Sequence, residues 1–155
     1  MISPELLRRY PFFGRFTEIQ LKTLAMIGEE ATLEDKQVVL EEGKPAQALF
    51  FLLEGGVDLY YTVEDPSLPT GLKELAVCEI NVGEPFGISA LIEPHILTST
   101  CRSSGVSRVI RFEAEALHSA ISEDSQLELV LLRAMSKAAL QRLHATRIQL
   151  AAAWK

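Results

Sequence analysis

The chain has 155 residues, a length that suits one domain over residues 1–155 with a sizeable core. Hydrophobic residues make up 48% of the chain and charged residues 23%, which excludes a disordered protein. The net charge of -6 excludes bulk attraction to DNA, RNA or an anionic membrane, so we expect no nucleic-acid partner for this chain alone. No apolar run is long enough for a bilayer and the N-terminus is charged, so we expect a cytoplasmic protein.

The sequence offers no pattern typical of an enzyme or of a metal site. Cys78 and Cys101 form neither a CxxC pair nor a Cys/His cluster, and we expect buried thiols on strands. His95, His118 and His144 are too widely spaced for an HxxxH or HExxH pair. We see no nucleophile elbow, P-loop or dinucleotide fingerprint. We therefore expect a non-catalytic protein without a metal and without a certain cofactor.

Residues 1–28 predict a helical arm. Ser3 and Pro4 are typical of the N-cap and first turn of a short helix over residues 3–10. A second helix is predicted to begin at Thr17, which forms a capping box with Gln20. Three aromatic residues between the two helices are expected to lock the arm onto the body of the domain: Phe12, Phe13 and Phe16.

Residues 29–112 show short apolar runs between turn signals, which predict strands. Two β-rich runs, 48–53 and 57–63, flank Glu54-Gly55-Gly56, and glycines at such a place predict a hairpin. The other predicted strands are 38–40, 74–80 and two within 98–112, separated by Ser104-Gly105. This spacing predicts a mainly β fold, a sandwich or barrel with helices kept to its ends.

Residues 113–155 predict two helices, one over 113–121 and a long one from about Ser125. The first part of the long helix is apolar nearly all round, so we expect it to contact protein on several sides. Farther along, residues recur at alternating spacings of four and three: Leu132, Ser136, Ala139, Leu143, Thr146 and Leu150. This spacing is typical of a coiled-coil seam. The seam predicts a homodimer through this helix, and packing on the chain's own barrel is the alternative.

The order of these elements resembles the cyclic-nucleotide-binding domain family, in particular the sensor half of catabolite-activator-type regulators. LLRRYPFFGRFTEIQLKTLA is similar to the family's N-terminal helices, and VVLEEGKPAQALFFLLEGGVDLYY to its central strands and hairpin. VGEPFGISAL resembles the start of its phosphate-binding cassette, and SRVIRF the strand before its dimer helix. The resemblance implies a double-stranded β-helix (jelly-roll) barrel flanked by N-terminal helices and a long C-terminal helix.

The resemblance also implies how a cyclic nucleotide is held. In the family, backbone N–H groups and an arginine bind the phosphate, and a glutamate accepts from the ribose hydroxyl. This chain keeps Gly83 and Gly87, but Ile88 stands at the glutamate position and Leu97 or Thr98 at the arginine position. Losing both charged hydrogen bonds, at about 1.5–3 kcal/mol each, weakens binding by roughly two to four decades. We therefore expect a degenerate cassette that does not bind cyclic AMP in the usual way.

The rest of the cassette still predicts a site for a nucleotide-like or other small anionic ligand. Hydroxyls are available from residues 98–100, and backbone N–H groups from Ser89 and Ala90. The nearest cation along the chain is Arg102. His95, at the tip of the cassette loop, is expected to hydrogen-bond a ligand or to be solvated.

The long helix contributes to the same predicted site. By register, Thr146 and Arg147 fall where the hydroxyl pair of catabolite-activator-type sensors meets the base. Alternatively, the Thr146 hydroxyl donates to a carbonyl one turn back. The full predicted ligand set is Gly87, Ile88, Ser89, Ala90, Leu91, Thr98, Ser99, Thr100, Arg102, Thr146 and Arg147.

Three functions follow from this sequence. The first is a stand-alone regulatory or sensor module without catalysis. The second is a dimeric platform for protein interaction, with an emptied pocket and a protein target that the sequence does not identify. The third is the sensor half of a transcription regulator, against which we note that the chain ends at AAAWK before a helix-turn-helix. We favour the first.

Overall fold

A computed structural model of the chain describes residues 1–154, and Lys155, part of the predicted last helix, lies outside this range. The N-terminal part holds α1 (Pro4–Arg8), a 3₁₀ helix (Pro11–Arg15) and α2 (Glu18–Ile27). The strands are β1 (Gly28–Leu33), β2 (Val38–Leu40), β3 (Ala48–Glu64), β4 (Leu72–Ile80), β5 (Pro85–Phe86) and β6 (Thr100–Glu113). A second 3₁₀ helix (Ile88–Ala90) follows β5, and α3 (Ala114–Glu123) and α4 (Ser125–Ala153) follow β6.

All strand pairs are antiparallel. The order is β1-β6-β3-β4, with β2 added to β6 and β5 added to β3. The two longest strands, β3 and β6, pair with each other and form the centre of the sheet. The predicted fold is confirmed: a mainly β jelly-roll barrel lies between N-terminal helices and a long C-terminal helix.

The predicted hairpin at Glu54-Gly55-Gly56 is wrong, because both flanking runs belong to β3, a single strand of 17 residues. The pairing of β3 with β6 shifts register on both sides of Glu54, so the glycines form a bulge. Gly55 has φ 90°, and a Cβ there would lie 2.2 Å from the Ser107 Oγ of β6. The glycines therefore bend the strand while both halves stay paired with β6.

The two separate strands predicted within 98–112 are likewise wrong, because β6 runs unbroken from Thr100 to Glu113 through Ser104-Gly105. Gly105 does adopt φ 78°, and its N–H donates to Asp35 Oδ1 at 2.8 Å. The side chain of Asp35 thus satisfies the backbone at this bend, and the strand continues beyond it.

The capping box of α2 is confirmed. The Thr17 hydroxyl oxygen accepts from the Gln20 N–H at 3.2 Å, and Gln20 Oε1 accepts from the Thr17 N–H at 2.9 Å. The first helix is shorter than predicted and ends at Arg8. Pro11 explains this, because the residue before a proline avoids the helical region, and Tyr10 is extended with φ -110° and ψ 127°.

The aromatic residues of the arm pack on Phe51 of β3, as expected for residues that lock the arm in place. The Phe51 ring centroid lies 5.3 Å from that of Tyr10, 5.2 Å from Phe12 and 4.6 Å from Phe13. Phe13, Phe16 and Phe51 are all buried. The arm and the barrel consequently share one hydrophobic core.

The long helix α4 is capped by Asp124, whose Oδ1 accepts from the N–H groups of Gln126 and Leu127 at 3.0 and 3.1 Å. Its buried face consists of Leu127, Leu131, Ala134, Met135 and Ala138. Val130 and Leu132 flank this face and are half-buried against the core, whereas Leu129 is exposed, so the first part of α4 contacts protein over a broad face but not all round. No helix among residues 1–154 combines the length and the apolar character needed to cross a bilayer.

Candidate functional site

A pocket of about 240 Å³ lies between the barrel and α4. The barrel side is mostly apolar and includes Leu40, Leu59, Val77, Ile88 and Leu97, with the thiols of Cys78 and Cys101. The cassette contributes Gly87, Ser89, Thr98 and Ser99. The helix side is formed by Ala139, Arg142, Leu143 and Thr146. The cassette and α4, which are far apart in the chain, therefore form two walls of one pocket.

The turn that begins the cassette depends on Gly87, which has φ 74°. A Cβ at this position would lie 2.9 Å from Leu40 Cδ1 and 3.0 Å from the Ala48 carbonyl oxygen, so a side chain does not fit. The Ala90 N–H, predicted to be available for a ligand, donates to the Gly87 carbonyl at 3.1 Å. The turn is thus stabilised by its own backbone.

Two histidines hold this turn from the outside. His95 Nδ1 lies 3.1 Å from the Ser89 carbonyl oxygen, and His118 Nε2, from α3, lies 2.6 Å from the Ala90 carbonyl oxygen. Each ring nitrogen must carry its proton to donate here, because a carbonyl only accepts. The ring centroids are 4.9 Å apart. His95 therefore bonds the cassette backbone, and neither of the two predicted roles describes it.

The structure brings part of the predicted ligand set together and leaves part outside. The predicted residues that line the pocket are Gly87, Ile88, Ser89, Thr98, Ser99 and Thr146. Ala90 and Leu91 are buried beneath the turn, and Arg147 is exposed outside the lining. The Thr100 hydroxyl oxygen is also outside it and accepts from the Glu42 N–H at 3.1 Å.

Arg102, the predicted cation, is directed away from the pocket. Its guanidinium binds both carboxylate oxygens of Glu74 at 3.0 and 3.2 Å and lies 4.7 Å from the centre of the Tyr60 ring. Side chains alternate along a strand, so Cys101 faces the pocket and its neighbour Arg102 faces the other side of β6.

The cation of the pocket is Arg142, from α4, which the sequence analysis did not single out. Its guanidinium donates to the carbonyl oxygen of Pro85, two residues before Gly87. Its Nε is buried and has no hydrogen-bond partner within residues 1–154. Burial holds this guanidinium away from water and lowers its pKa. Arg142 therefore places an incompletely hydrogen-bonded positive charge at the edge of an apolar pocket.

The acidic side chain that acts on this charge, Glu84, lies outside the pocket lining. Burial raises the pKa of the Cys101 thiol to about 12 and also raises that of Cys78, so both thiols are neutral near pH 7. Among the described residues, the lining contains no aspartate or glutamate. The same part of the chain contains no cluster of three or more His, Cys, Asp or Glu that could hold a metal ion.

With this geometry established, the chain can be compared with known proteins. Residues 30–124 match the family model of the cyclic nucleotide-binding domain. The chain belongs to the cyclic nucleotide-binding domain family. It is 38% identical to a protein of Geobacter metallireducens GS-15 that carries the assignment of cyclic nucleotide-binding protein, over 93% of this chain and 100% of that one, with a TM-score of 0.80.

More distant structures share the fold of this cyclic nucleotide-binding domain. The sensor domain of the transcriptional regulator DNR from Pseudomonas aeruginosa is 23% identical over 90% of this chain and 95% of that one, with a TM-score of 0.66. The regulatory domain of Toxoplasma gondii PKA, solved with cAMP, is 14% identical over 86% of this chain and 48% of that one, with a TM-score of 0.70. No curated protein matches the chain.

The sequence of this cyclic nucleotide-binding domain contains a pattern that indicates the buried position of Arg142. The buried residues Leu131, Met135 and Ala138 recur at spacings of four and three, and the next step of four reaches Arg142. A single arginine that continues an apolar stripe indicates a buried cation. The predicted seam lies along the neighbouring stripe and does not include Arg142.

Thr146 makes the hydrogen bond that the alternative interpretation predicts and also lines the pocket, whereas its contact with a base stays a prediction. Its hydroxyl donates to the Arg142 carbonyl at 2.9 Å, as the alternative interpretation foresees. The side chain also lines the pocket, and its oxygen retains lone pairs that can accept a hydrogen bond.

Proposed function

We propose that this chain is a regulatory sensor module in which a small ligand in the pocket acts on α4. The observation that carries the proposal is the position of the pocket, which has Ile88 and Ser89 of the cassette on one side and Leu143 and Thr146 of α4 on the other. A ligand of matching size contacts both sides, so it stabilises one position of α4 over others. Family membership supports a regulatory role of this kind.

The proposal includes a cytoplasmic location, no catalysis, and a ligand other than conventionally bound cyclic AMP. Ile88 cannot accept from a ribose hydroxyl, and Thr98 carries no charge for a cyclic phosphate. Arg142 approaches from the opposite wall, so a positive charge is present at a different place in the pocket. The retained pocket with a displaced charge favours a retuned sensor over an emptied one.

A thermal-shift screen tests the sensor function. The panel contains cyclic mononucleotides, cyclic dinucleotides and small organic anions. We expect at least one compound, at a concentration well above its Kd, to raise the melting temperature by several degrees through mass action. Ser99→Phe should abolish the shift, because a large ring at this lining position fills the pocket. Ser104→Phe is the matched control, since Ser104 is exposed on β6 outside the lining. A folded protein whose melting temperature no member of the panel changes contradicts the sensor function.

The alternative function, a dimeric interaction platform, is favoured by the seam of α4. Five seam residues are exposed in the single chain, namely Ser136, Ala139, Leu143, Thr146 and Leu150, whereas Leu132 is half-buried against the core, so the chain itself covers only the start of the seam. A second copy of the helix would cover these residues through coiled-coil packing. We propose a homodimer through α4 for both functions, and only the platform dispenses with a ligand.

Leu150→Glu is expected to convert the proposed dimer to a monomer, because it places a charge in the apolar seam without touching the pocket. Sedimentation velocity or light scattering measures the change as a halving of the mass. Ile148→Glu is the matched control, since Leu150 and Ile148 are 58% and 57% exposed but lie on opposite sides of the helix. Equal behaviour of the two variants would show that the seam is not the interface.

A further inference from the structure

We propose that the pocket binds a small organic carboxylate with an apolar body, and that Arg142 is the residue that binds the carboxylate group. This inference rests on the proposed sensor function and specifies its ligand. It makes the long helix the element that recognises the charge of the ligand.

The charge of the pocket supports an anion. Arg142 has one bonded carbonyl, that of Pro85, and a buried Nε without a partner in residues 1–154. A guanidinium has five N–H donors and no acceptor; the buried Nε is covered, and the terminal N–H groups that do not bind Pro85 remain for a ligand. An incompletely paired buried charge is unfavourable, and an anion in the pocket removes that penalty.

The number of charges in the lining favours a monoanion. Arg142 is the one charged residue of the lining in the described part of the chain. A planar carboxylate matches the fork of a guanidinium and forms two parallel hydrogen bonds with it. A phosphate monoester carries close to two charges at neutral pH, and its second charge would remain uncompensated against apolar walls.

The shape and chemistry of the remaining walls favour an apolar body. The cavity of about 240 Å³ is below the range of about 300–1,000 Å³ typical of drug-sized ligands. On its barrel side it presents Leu40, Leu59, Val77 and Leu97, whose side chains offer no hydrogen bonds. A sugar with several hydroxyls would leave them unpaired there, whereas an aromatic ring or a short alkyl chain would displace water from these side chains.

The place of Arg142 also connects the ligand to the helix. Arg142 donates a hydrogen bond to the Pro85 carbonyl, which belongs to β5, and β5 leads directly into the cassette turn. A carboxylate beside this guanidinium either adds to that bond or replaces it. In both cases the strength of the tie between α4 and the cassette depends on occupancy, which is the differential interaction that a sensor requires.

The test compares acids with their neutral amides on the full chain. Benzoate and hexanoate are titrated against benzamide and hexanamide by thermal shift and by calorimetry, with cyclic AMP as a fifth compound. We expect at least one acid to raise the melting temperature and its amide to leave it unchanged. Arg142→Gln should weaken acid binding by about 10- to 100-fold, the loss of a charged hydrogen bond. Arg142→Lys, which keeps the charge but not the fork, should be intermediate.

Arg133→Gln is the control, because Arg133 is an exposed arginine of the same helix outside the pocket lining, and binding should not change. If Arg142→Gln fails to fold, the comparison of acids with amides on the unsubstituted protein still shows whether the pocket requires a carboxylate. Equal binding of acid and amide, or acid binding that survives Arg142→Gln, overturns the inference. Binding of cyclic AMP without either acid also overturns it and leaves the sensor function in place. No shift with any of the five compounds overturns the carboxylate assignment, and the wider screen with Ser99→Phe then decides the sensor function separately.

Discussion

Gly55→Ala is expected to lower the free energy of unfolding by about 3 kcal/mol or more. Gly55 has φ 90°, a conformation that costs an L-residue about 1–2 kcal/mol. The new Cβ would also lie 2.2 Å from Ser107 Oγ and 2.8 Å from Ser107 Cα. Because Cα belongs to the backbone of β6, two paired strands must separate, and such overpacking adds about 1–3 kcal/mol. Chemical denaturation measures the loss, which corresponds to a fall in melting temperature of about 6–12 °C.

Gly43→Ala is the matched control for this steric contribution. Gly43 has almost the same φ, 87°, but an added Cβ meets no atom within 4 Å. This variant should therefore lose only the conformational part, about 1–2 kcal/mol. The difference between the two variants isolates the close approach of β3 and β6. Equal destabilisation would mean that the bulge at Gly55 is more open than the structure shows.

Phe51→Ala should destabilise the protein by about 3–5 kcal/mol, because it removes a buried ring and leaves a cavity. Phe51 is 1% exposed and contacts Tyr10, Phe12 and Phe13 of the arm. The substitution therefore weakens both the core and the attachment of the arm. Denaturation followed by circular dichroism measures the first effect, and faster amide hydrogen exchange in α1 and α2 reports the second.

Tyr61→Ala, on the same strand, is the comparison for Phe51. Tyr61 is 50% exposed, so its truncation removes an aromatic ring without opening a buried cavity. We expect a loss below about 1 kcal/mol and unchanged exchange in the arm. A similar loss for both variants would show that the stacking of the arm on Phe51 contributes little to stability.

Local signals in the sequence predicted the local features of the fold. The capping box of Thr17 and Gln20 depends on residues three apart, and it forms as predicted. The bulge at Gly55 could not be told from a hairpin, because both need a glycine with positive φ. What decides between them is the pairing of Gly55 and its neighbours with Ser107 of β6, a contact across about fifty residues of chain.

The same limit applies to the candidate site. The sequence predicts the turn at Gly87 and Ile88 because the two residues are adjacent and the form of the turn depends on nearby residues. Proximity along the chain predicts Arg102 as the cation of the cassette, but the alternation of side chains on β6 places Arg102 on the other face. Arg142 lies more than forty residues beyond the cassette and enters the pocket through the packing of α4. Sequence proximity contains no information on that packing.

The uninterrupted course of β3 has a consequence for the integrity of the protein. The strand presents Phe51 to the N-terminal arm and, eight residues later, Leu59 to the pocket. Loss of the arm would expose Phe51 to water on the strand that also forms part of the pocket wall, so it would destabilise this strand beside the pocket as well. Proteolytic removal of the residues before β1 would consequently weaken the pocket, although none of the removed residues lines it.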